Sequence, residues 1–410
     1  MPMNLIAGLD VGTTKTCAVI GELVGEPPRQ CVLKVRGVGQ ARTSGLRGDL
    51  VTNLEATTET IRQAMREAEL MAGVTVDRVF AGIAGEHIEA RHSMGVVAVT
   101  GDEITAGDVD RVHQVARAVA FAPDRDLLHA IPTDYRVDHQ GGIKRALGMA
   151  ATRLECDVYL ITASATASAN IRKAVSRAGY GVQELVLEPL ASARAVLTED
   201  EKEVGATMVG IGGCATDIAV YVDGRMRHVA VLPVGSDAVT ADLVKGLGIP
   251  WAEAQKAKEL YATAMAGMVD PQETVEMPGP GPGQVRNVAR ELIAHITEQR
   301  LDEILGLVRT DLDRLQLLDR LGAGIVLTGG GVALPGLVEL AQQVFPTPVR
   351  LGVPGEGLSG LADSVGRPRF ATAVGLAMHG LERFGETGEG ASTFTSGVMS
   401  KVSAWLKEFF

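Results

Sequence analysis

Near its start the chain reads Ile6-Ala7-Gly8-Leu9-Asp10-Val11-Gly12-Thr13-Thr14-Lys15-Thr16. A short apolar strand runs here into a turn of small and hydroxyl residues, and alternating β-branched residues follow as far as Ile20. Small residues let backbone N–H groups approach and surround anionic oxygens. The stretch therefore predicts a β-hairpin whose turn binds phosphate, with an ordinary tight hairpin as the alternative.

The residues of this turn suit the phosphates of ATP and a bound Mg²⁺ ion. Asp10 lies at the end of the first strand, where a carboxylate can hold Mg²⁺ through water. Gly12, Thr13 and Thr14 offer N–H and hydroxyl donors to the phosphates, and Lys15 offers a positive charge.

A second strand of this kind, near the other end of the chain, runs into a run of three glycines. Residues 324–335 read Gly-Ile-Val-Leu-Thr-Gly-Gly-Gly-Val-Ala-Leu-Pro. One such turn is common in α/β folds, but two at opposite ends of a chain imply two halves that close on one nucleotide. We therefore expect Gly329, Gly330 and Gly331 to contact the nucleotide.

A third glycine turn lies in the middle of the chain, in the stretch Val209-Gly210-Ile211-Gly212-Gly213-Cys214-Ala215-Thr216-Asp217. Residues 210–215 match GxGxxA, the dinucleotide-binding fingerprint, which requires a helix to begin at the turn. Residues 216–224 instead alternate and end in Asp-Gly, which is typical of a strand and a hairpin. The dinucleotide interpretation therefore fails, and Gly212 and Gly213 are predicted to form a second phosphate turn.

Chain length, net charge and cysteine content limit which class of protein this can be. A chain of 410 residues can form two or three domains with sizeable cores. The net charge of −11 argues against nucleic-acid binding, which needs clustered basic residues. The four cysteines show no CxxC pairing, so we expect reduced, cytosolic thiols and no zinc site. The sequence also predicts no signal peptide and no membrane-spanning segment.

Residues 85–162 differ in pattern from their surroundings. Residues 87–99 alternate like strands, Thr105 and Asp108 predict a capping box before a helix through Ala120, and further strands follow near 128–138 and 153–162. We expect a small α+β insertion here. Residues 236–320 are predicted to be mainly helical around a loop at 278–283.

Three glycine turns, two of them followed by hairpins, resemble the actin, sugar-kinase and heat-shock ATPase superfamily. Within it the chain resembles the FtsA family of bacterial cell-division actin homologues. The carrying motifs are Gly8 to Lys15 (phosphate 1), Glu188 to Ala193 (first connecting segment), Gly212-Gly213 through Asp217 (phosphate 2), Leu327 to Gly331 (adenosine), Ala371 to Ala377 (second connecting segment) and, in the insertion, Ile131-Pro132, Tyr135 to Asp138, Gly141 to Ile143 and Arg153 to Glu155.

This resemblance implies an α/β, actin-like ATPase fold: two ribonuclease-H-like halves around a nucleotide cleft, with the insertion as an α+β subdomain called 1C. The implied boundaries are 1–84 and 163–190 for subdomain 1A, 85–162 for 1C, 191–240 and 323–384 for 2A, 241–322 for 2B, 385–397 for a flexible linker, and 398–410 for an amphipathic membrane-targeting helix.

The resemblance also implies partners. Members of the family bind ATP, form head-to-tail filaments, attach to the membrane by a C-terminal helix, and bind the C-terminal tail of FtsZ, the tubulin-like division protein, on subdomain 2B. Arg286 and Arg300, on or near a helix expected to begin around Val285, are candidate contacts for the acidic residues of that tail. Solvated surface arginines are the alternative. Subdomain 1C is expected to bind other division proteins.

Two departures from the family pattern bear on chemistry. Gly210 stands where the superfamily usually has an aspartate that helps to position metal and attacking water. Losing that carboxylate should slow ATP hydrolysis more than ATP binding, with Glu188 left as the candidate catalytic residue and Asp217 as a second Mg²⁺ candidate. In the segment expected to touch ribose and adenine, Gln255 replaces an acid and Lys258 remains, so adenine-nucleotide binding is expected to survive.

The terminal residues suggest membrane attachment. At helical spacing, residues 398–410 gather Val398, Val402, Trp405, Leu406, Phe409 and Phe410 on one face with Met399. Such a face suits the bilayer interface, and a helix docked on the protein's own core is the alternative. The Gly/Ser/Thr-rich linker at 385–397 favours the membrane, because it lets the helix reach away.

We therefore expect an ATP-binding, polymerising actin homologue that tethers FtsZ filaments to the cytoplasmic face of the membrane in the division ring, with slow or negligible ATP hydrolysis. Another actin-like membrane adaptor, of the pilus-assembly type, is one alternative. A small-molecule kinase of the same superfamily is another, although Gly210 leaves it without an acid near the γ-phosphate. A heat-shock-type chaperone is disfavoured, because no substrate-binding domain follows residue 384.

Overall fold

The computed structural model describes residues 5–25, 31–279 and 283–387, with side chains through residue 383. The strands are β1 (Leu5–Val11), β2 (Lys15–Val24), β3 (Val32–Arg42), β4 (Leu46–Arg47), β5 (Leu50–Val51), β6 (Arg78–Ile83), β7 (Glu89–Ala98), β8 (Arg125–Val137), β9 (Gln140–Ile143), β10 (Arg153–Ser164), β11 (Gly181–Leu187), β12 (Ala206–Ile211), β13 (Thr216–Val222), β14 (Arg225–Leu232), β15 (Thr274–Pro278), β16 (Val285–Ala289), β17 (Gly324–Thr328), β18 (Val349–Leu351) and β19 (Leu358–Gly360). The α-helices are α1 (Leu54–Ala72), α2 (Ala106–Arg117), α3 (Ala165–Ala178), α4 (Glu188–Val196), α5 (Glu199–Val204), α6 (Asp237–Leu247), α7 (Trp251–Tyr261), α8 (Arg290–Arg314), α9 (Leu337–Val344), α10 (Ala362–Val365) and α11 (Ala371–Thr387).

Two mixed sheets repeat one arrangement. The first has the strand order β11-β6-β1-β2-β3-β19 and the second β14-β13-β12-β17-β18. In each, the first strand of a hairpin pairs antiparallel with its partner and parallel with a later strand: β1 with β2 and β6, and β12 with β13 and β17. This repeat confirms the prediction of two similar halves, each opening on a hairpin with a glycine turn.

The insertion forms an antiparallel sheet of its own, in the order β7-β10-β8-β9, with α2 packed against β7 and β10. Thr105 and Asp108 make the predicted capping box at the start of α2. Val112 of α2 is buried with Leu154 and Val158 of β10 in a separate core. The predicted α+β insertion is therefore confirmed.

Helices α4 and α11 lie between the two mixed sheets. One hydrophobic core joins Ile6 of the first sheet, Met208 of the second, Ala191 of α4 and Val374 of α11. The chain turns from β11 directly into α4, with Pro189 in the first helical turn, where its missing N–H costs no hydrogen bond. These helices correspond to the two connecting segments recognised in the sequence.

The prediction of a mainly helical stretch over 236–320 was wrong between 274 and 289. Strands β15 and β16 pair as a hairpin there, and α8 begins only at Arg290. Val275 and Met277 of β15 are buried together with Val288 of β16, so the apolar positions follow the strand period of two. Arg286, expected on or near a helix beginning around Val285, lies instead on β16.

The last described helix passes the predicted start of the linker. Helix α11 continues through Thr387, so residues 385–387 are helical. The rest of the predicted linker and the predicted membrane helix, with Val398, Val402, Trp405, Leu406, Phe409 and Phe410, lie outside the described residues. Across the described ranges, no helix has the length and apolar character to cross a membrane.

Candidate functional site

The two predicted phosphate turns meet between the halves. The β1–β2 turn carries Gly12, Thr13 and Thr14, and the β12–β13 turn carries Gly212 and Gly213. A Cβ atom placed on Gly213 would lie 2.5 Å from Cγ2 of Thr14, so a larger residue there would force Thr14 to move. The structure therefore brings together two turns from distant parts of the chain, each rich in backbone donors.

The triple-glycine turn adjoins the second phosphate turn. Gly329 has φ 92°, and a Cβ atom there would lie 2.5 Å from the carbonyl oxygen of Ile211 at the end of β12. Gly331 also lies against Ile211: a Cβ atom on Gly331 would be 2.7 Å from Cγ2 of Ile211. Gly330 has no described atom within 4 Å of its Cβ position and faces open space. An unobstructed backbone surface next to two phosphate turns fits an adenine nucleotide.

Four carboxylates lie near the two predicted phosphate turns. Three were predicted: Asp10 at the end of β1, Glu188 at the start of α4 and Asp217 on β13. Burial, opposed by Lys15 and reinforced by Asp49, raises the pKa of Asp10 to about 6. Burial, Asp10, Asp217 and Asp49 raise the pKa of Glu188 well above its usual value. The pKa of Asp217 is raised strongly by burial and then by Asp49 and Asp10.

The fourth carboxylate, Asp49, was missed in the sequence. It lies at the tip of the β4–β5 hairpin, where Thr13 Oγ1 donates a hydrogen bond to Asp49 Oδ1 at 2.5 Å. Burial raises the pKa of Asp49. The hydrogen bond from Thr13 and the charge of His87 offset part of this rise. The sequence signal was only the dipeptide Gly48-Asp49, a turn pattern that gives no indication of which site the turn faces.

Gly210, the position that lacks a carboxylate, lies directly across the β12–β13 ladder from Asp217. A Cβ atom on Gly210 would lie 3.5 Å from Cβ of Asp217. Oδ1 of Asp217 is buried and has no hydrogen-bond partner among the described residues. The second half therefore offers one acid here, on β13, and that acid has an unused acceptor atom.

Direct coordination of a metal by protein side chains alone does not fit this site. The described ranges hold no group of three or more His, Cys, Asp or Glu side chains that could bind a metal ion. Asp10 and Asp217 fit Mg²⁺ held through water, because hydrated Mg²⁺ usually takes few carboxylates and is completed by phosphate oxygens.

Lys15 points away from the turn toward the segment before α11. Its Nζ donates to the carbonyl oxygen of Arg369 and lies 5.0 Å from the centre of the Phe370 ring. The same ammonium group lowers the pKa of Asp10, which places its charge beside the cleft. The predicted phosphate contact of Lys15 stays a prediction.

Gln255 and Lys258 of α7 are engaged by neighbouring protein groups. Thr240 Oγ1 donates to Gln255 Oε1 at 2.8 Å, and Gln255 Nε2 donates to Glu259 at 2.6 Å. Lys258 is buried, donates to the carbonyl oxygen of Ser236 at 3.1 Å and lies 3.7 Å from Asp237. Their contacts with ribose and adenine stay predictions.

Asp237, absent from the predicted site, links Lys258 to the second phosphate turn. Its Oδ2 lies 3.6 Å from the thiol of Cys214. Its backbone N–H donates to the carbonyl oxygen of Gly213 at 2.8 Å.

The two arginines predicted to bind a partner lie outside the cleft and have protein partners. Arg286 donates to the carbonyl oxygen of Leu247. Arg300 on α8 forms ion pairs with Asp242 at 2.6 Å and Glu303 at 2.5 Å. An acidic peptide would compete with these contacts, more strongly at Arg300, whose two partners are carboxylates, than at exposed Arg286.

Comparison with known proteins agrees with this architecture. A family model described as "Cell division protein FtsA" matches residues 207–375, and one described as "SHS2 domain inserted in FTSA" matches residues 85–162. The cell division protein FtsA of Pseudomonas aeruginosa is 42% identical over 418 residues, covering 99% of this chain and 98% of that protein.

Solved structures show the same fold at low identity. A chain of a PilM–PilN type IV pilus biogenesis complex has a TM-score of 0.64 at 18% identity, covering 92% of this chain and 98% of that one. MreB5 of Spiroplasma citri bound to ADP has a TM-score of 0.52 at 12% identity, covering 93% and 96%. The fold is that of the actin-like ATPases. Because the chain is 42% identical to the Pseudomonas protein over nearly its full length, it belongs to the FtsA family of cell division proteins.

Proposed function

We propose that this chain binds ATP between its two halves and, as a polymer at the cytoplasmic face of the membrane, tethers FtsZ filaments in the division ring. The observation that supports nucleotide binding best is the convergence of three glycine turns on one cleft, with Thr14 against Gly213 and Gly329 against Ile211. A protein of the same fold, MreB5, has been solved with ADP.

In this proposal the backbone N–H groups of the two hairpin turns hold the phosphates, and the turn at Gly329 to Gly331 holds the nucleoside. Bound Mg²⁺ supplies charge compensation for the phosphates. Asp10 and Asp217 hold the waters of that ion. Turnover is slow, because Gly210 contributes no carboxylate to orient an attacking water. Burial and then the neighbouring acids favour the protonated form of Glu188, the remaining candidate.

The partner assignments rest on family membership. The FtsZ tail binds the region 241–322, where Arg286 and Arg300 can offer positive charge once their present contacts open. The insertion, residues 85–162, presents a separate small sheet for other division proteins. Copies of the chain associate head to tail, so many weak membrane contacts act together.

Membrane attachment is assigned to residues 398–410, whose sequence places two Phe and one Trp on the apolar face of a helix. Burial of such a face contributes about 25 cal/mol for each Å² of apolar area removed from water. Few basic residues lie in this segment, so binding rests on apolar burial and should depend weakly on salt.

Co-sedimentation with liposomes in ATP and Mg²⁺ tests the proposal. The full chain is compared with a chain truncated after Thr387, where the described helix ends, and with Trp405→Glu, each with and without FtsZ. We expect only the unaltered full chain to pellet and to carry FtsZ with it. Equal pelleting of all three chains would contradict the membrane assignment. If the full chain pellets but FtsZ stays in the supernatant, the tethering role is contradicted.

A further inference from the structure

A small hairpin brings an acid to the phosphate end of the cleft in a backbone conformation that favours glycine. Strands β4 and β5 pair through Leu46 with Val51 and Arg47 with Leu50, which leaves Gly48 and Asp49 as a two-residue turn. Their φ angles are 54° and 60°. Turns of this kind need positive φ at both positions, which Gly, Asn and Asp adopt most readily. The backbone therefore tolerates Asp49, and the contacts of its carboxylate decide what it can do.

The tip of this hairpin touches both phosphate turns. On its own half, Asp49 accepts the hydrogen bond from Thr13. Toward the other half, the backbone of Gly48 interacts with the thiol of Cys214 in the β12–β13 turn. Asp49 therefore stands where the terminal phosphate of a nucleotide held by both turns would come.

The charge of Asp49 reaches the three other acids of the site. Burial is the main cause of the raised pKa of Asp10, of Glu188 and of Asp217, and the negative charge of Asp49 adds to each. Asp10 is only 7% exposed, so water screens this repulsion poorly. The buried Oδ1 of Asp217, which has no hydrogen-bond partner among the described residues, is an independent sign that the site is completed by a group that it does not itself contain.

The hydrogen bond to Asp49 also fixes what Thr13 can offer. A hydroxyl group has a single proton, and here Thr13 donates it to Asp49. The hydroxyl then keeps only its lone pairs, and the Cys214 thiol is within hydrogen-bond reach of the same oxygen. Lone pairs suit a water molecule of a hydrated cation, whereas a bare phosphate oxygen needs a donor.

We propose that Asp49 makes ATP binding depend on a divalent cation, and more steeply for ATP than for ADP. This inference rests on the proposed binding of ATP in the cleft. Without the cation, Asp49 repels the terminal phosphate and withholds the Thr13 proton. With Mg²⁺ present, the same carboxylate attracts the hydrated ion, so one residue penalises the bare nucleotide and favours the magnesium complex.

Calorimetric titration of the full chain with ATP and with ADP, in Mg²⁺ or in EDTA, tests this. Asp49→Asn is the informative variant, because asparagine tolerates the left-handed backbone and keeps an acceptor for Thr13 while losing the charge. We expect EDTA to weaken ATP binding by the unaltered chain about tenfold more than it weakens ATP binding by Asp49→Asn. The corresponding change for ADP should be smaller.

Asp223 provides a matched control. It has φ 58° in the turn between β13 and β14, and its carboxylate pairs with Arg320 at 2.9 Å instead of facing the cleft. Asp223→Asn should keep the cation dependence of the unaltered chain. Asp49→Gly, which removes the side chain without backbone strain and also frees the Thr13 proton, should reduce the cation dependence at least as much as Asp49→Asn.

The two possible failures are distinguishable. An unaltered chain that binds ATP in Mg²⁺, with the same dependence on Mg²⁺ as Asp49→Asn, would overturn the role of Asp49 and leave the nucleotide site standing. An unaltered chain that binds neither nucleotide in Mg²⁺ would overturn the nucleotide site and the role of Asp49 together.

Discussion

Gly375 of α11 packs directly on the backbone of Ala191 in α4: a Cβ atom on Gly375 would lie 1.7 Å from the Ala191 carbonyl oxygen. Near this crossing, the hydroxyl groups of Ser192 and Thr372 are 3.0 Å apart and share a hydrogen bond. Since both helices pack between the two mixed sheets, this crossing belongs to the hydrophobic core that connects the halves.

Gly375→Ala should therefore destabilise the protein strongly. The methyl group cannot fit without separating α4 from α11, because the atom it meets belongs to the backbone. Overpacking of a core costs about 1 to 3 kcal/mol, and we expect at least the upper end here. Urea denaturation followed by circular dichroism measures the change.

Gly306→Ala is the matched control. Gly306 lies inside α8 with no described atom within 4 Å of its Cβ position, so alanine should stabilise the helix by up to about 1 kcal/mol. If Gly375→Ala were no less stable than Gly306→Ala, the close crossing of α4 and α11 would be contradicted.

The hairpins at the cleft were predictable because their signals are local. The alternation after Thr13 and the Asp223-Gly224 turn after β13 specify strand, turn and strand without reference to the rest of the chain. The capping box at Thr105 is also local, since its partners are three residues apart.

The errors arose where distant contacts decide. The β15–β16 hairpin has the strand period of two at Val275 and Met277, but its strands are only five residues long, and burial of Val288 beside α8 supports them. Asp49 joins the site through a hydrogen bond to Thr13, thirty-six residues earlier in the chain, so its role follows from packing and not from any motif.

Asp10→Asn should make the nucleotide-free protein more stable at pH 7 while weakening nucleotide binding. The pKa of Asp10 is raised from 3.8 to about 6, chiefly by burial. The native protein therefore binds more protons than the unfolded chain between these values, and the contribution of Asp10 to stability falls as the pH rises through that window. Asparagine removes the buried charge, for a gain of up to about 3 kcal/mol at pH 7.

Urea midpoints of Asp10→Asn and the unaltered chain, taken from pH 4 to pH 7 without nucleotide, measure this effect. The difference should grow with pH, and Asp223→Asn, whose side chain is exposed, should change stability little. A variant less stable than the unaltered chain at pH 7 would mean that Asp10 makes a net favourable contribution in the empty cleft.

His129 ties the insertion to the start of α4. Its Nε2 on β8 accepts a hydrogen bond from the backbone N–H of Leu187 at 3.0 Å, one residue before Glu188. Burial lowers the pKa of His129 to about 4, so the ring is neutral at pH 7 and Nε2 can accept. His129→Leu leaves the Leu187 N–H without an acceptor, which should cost about 1 to 3 kcal/mol.

His129→Gln distinguishes the contribution of the hydrogen bond from that of the packed ring, because the amide oxygen of glutamine can still accept from the Leu187 N–H. We expect its urea midpoint to lie between those of the unaltered chain and His129→Leu. His92→Gln, on the solvent-exposed face of the same sheet, should change stability little. Equal midpoints for His129→Leu and the unaltered chain would show that this bond contributes nothing.

Bound nucleotide should protect Cys214 from alkylation. Its thiol is half-buried in the second phosphate turn, 3.6 Å from Asp237, and burial followed by the charge of Asp237 raises its pKa. We expect slow reaction with N-ethylmaleimide at pH 8 and a several-fold slower reaction once ATP and Mg²⁺ saturate the protein, because the phosphates would cover the turn. Half-buried Cys31 at the edge of the first half is the internal control, and Cys17 and Cys156 are buried and should not react. Peptide mass mapping resolves the four thiols, and Cys214 labelling that is unchanged at saturating nucleotide would place the phosphates away from this turn.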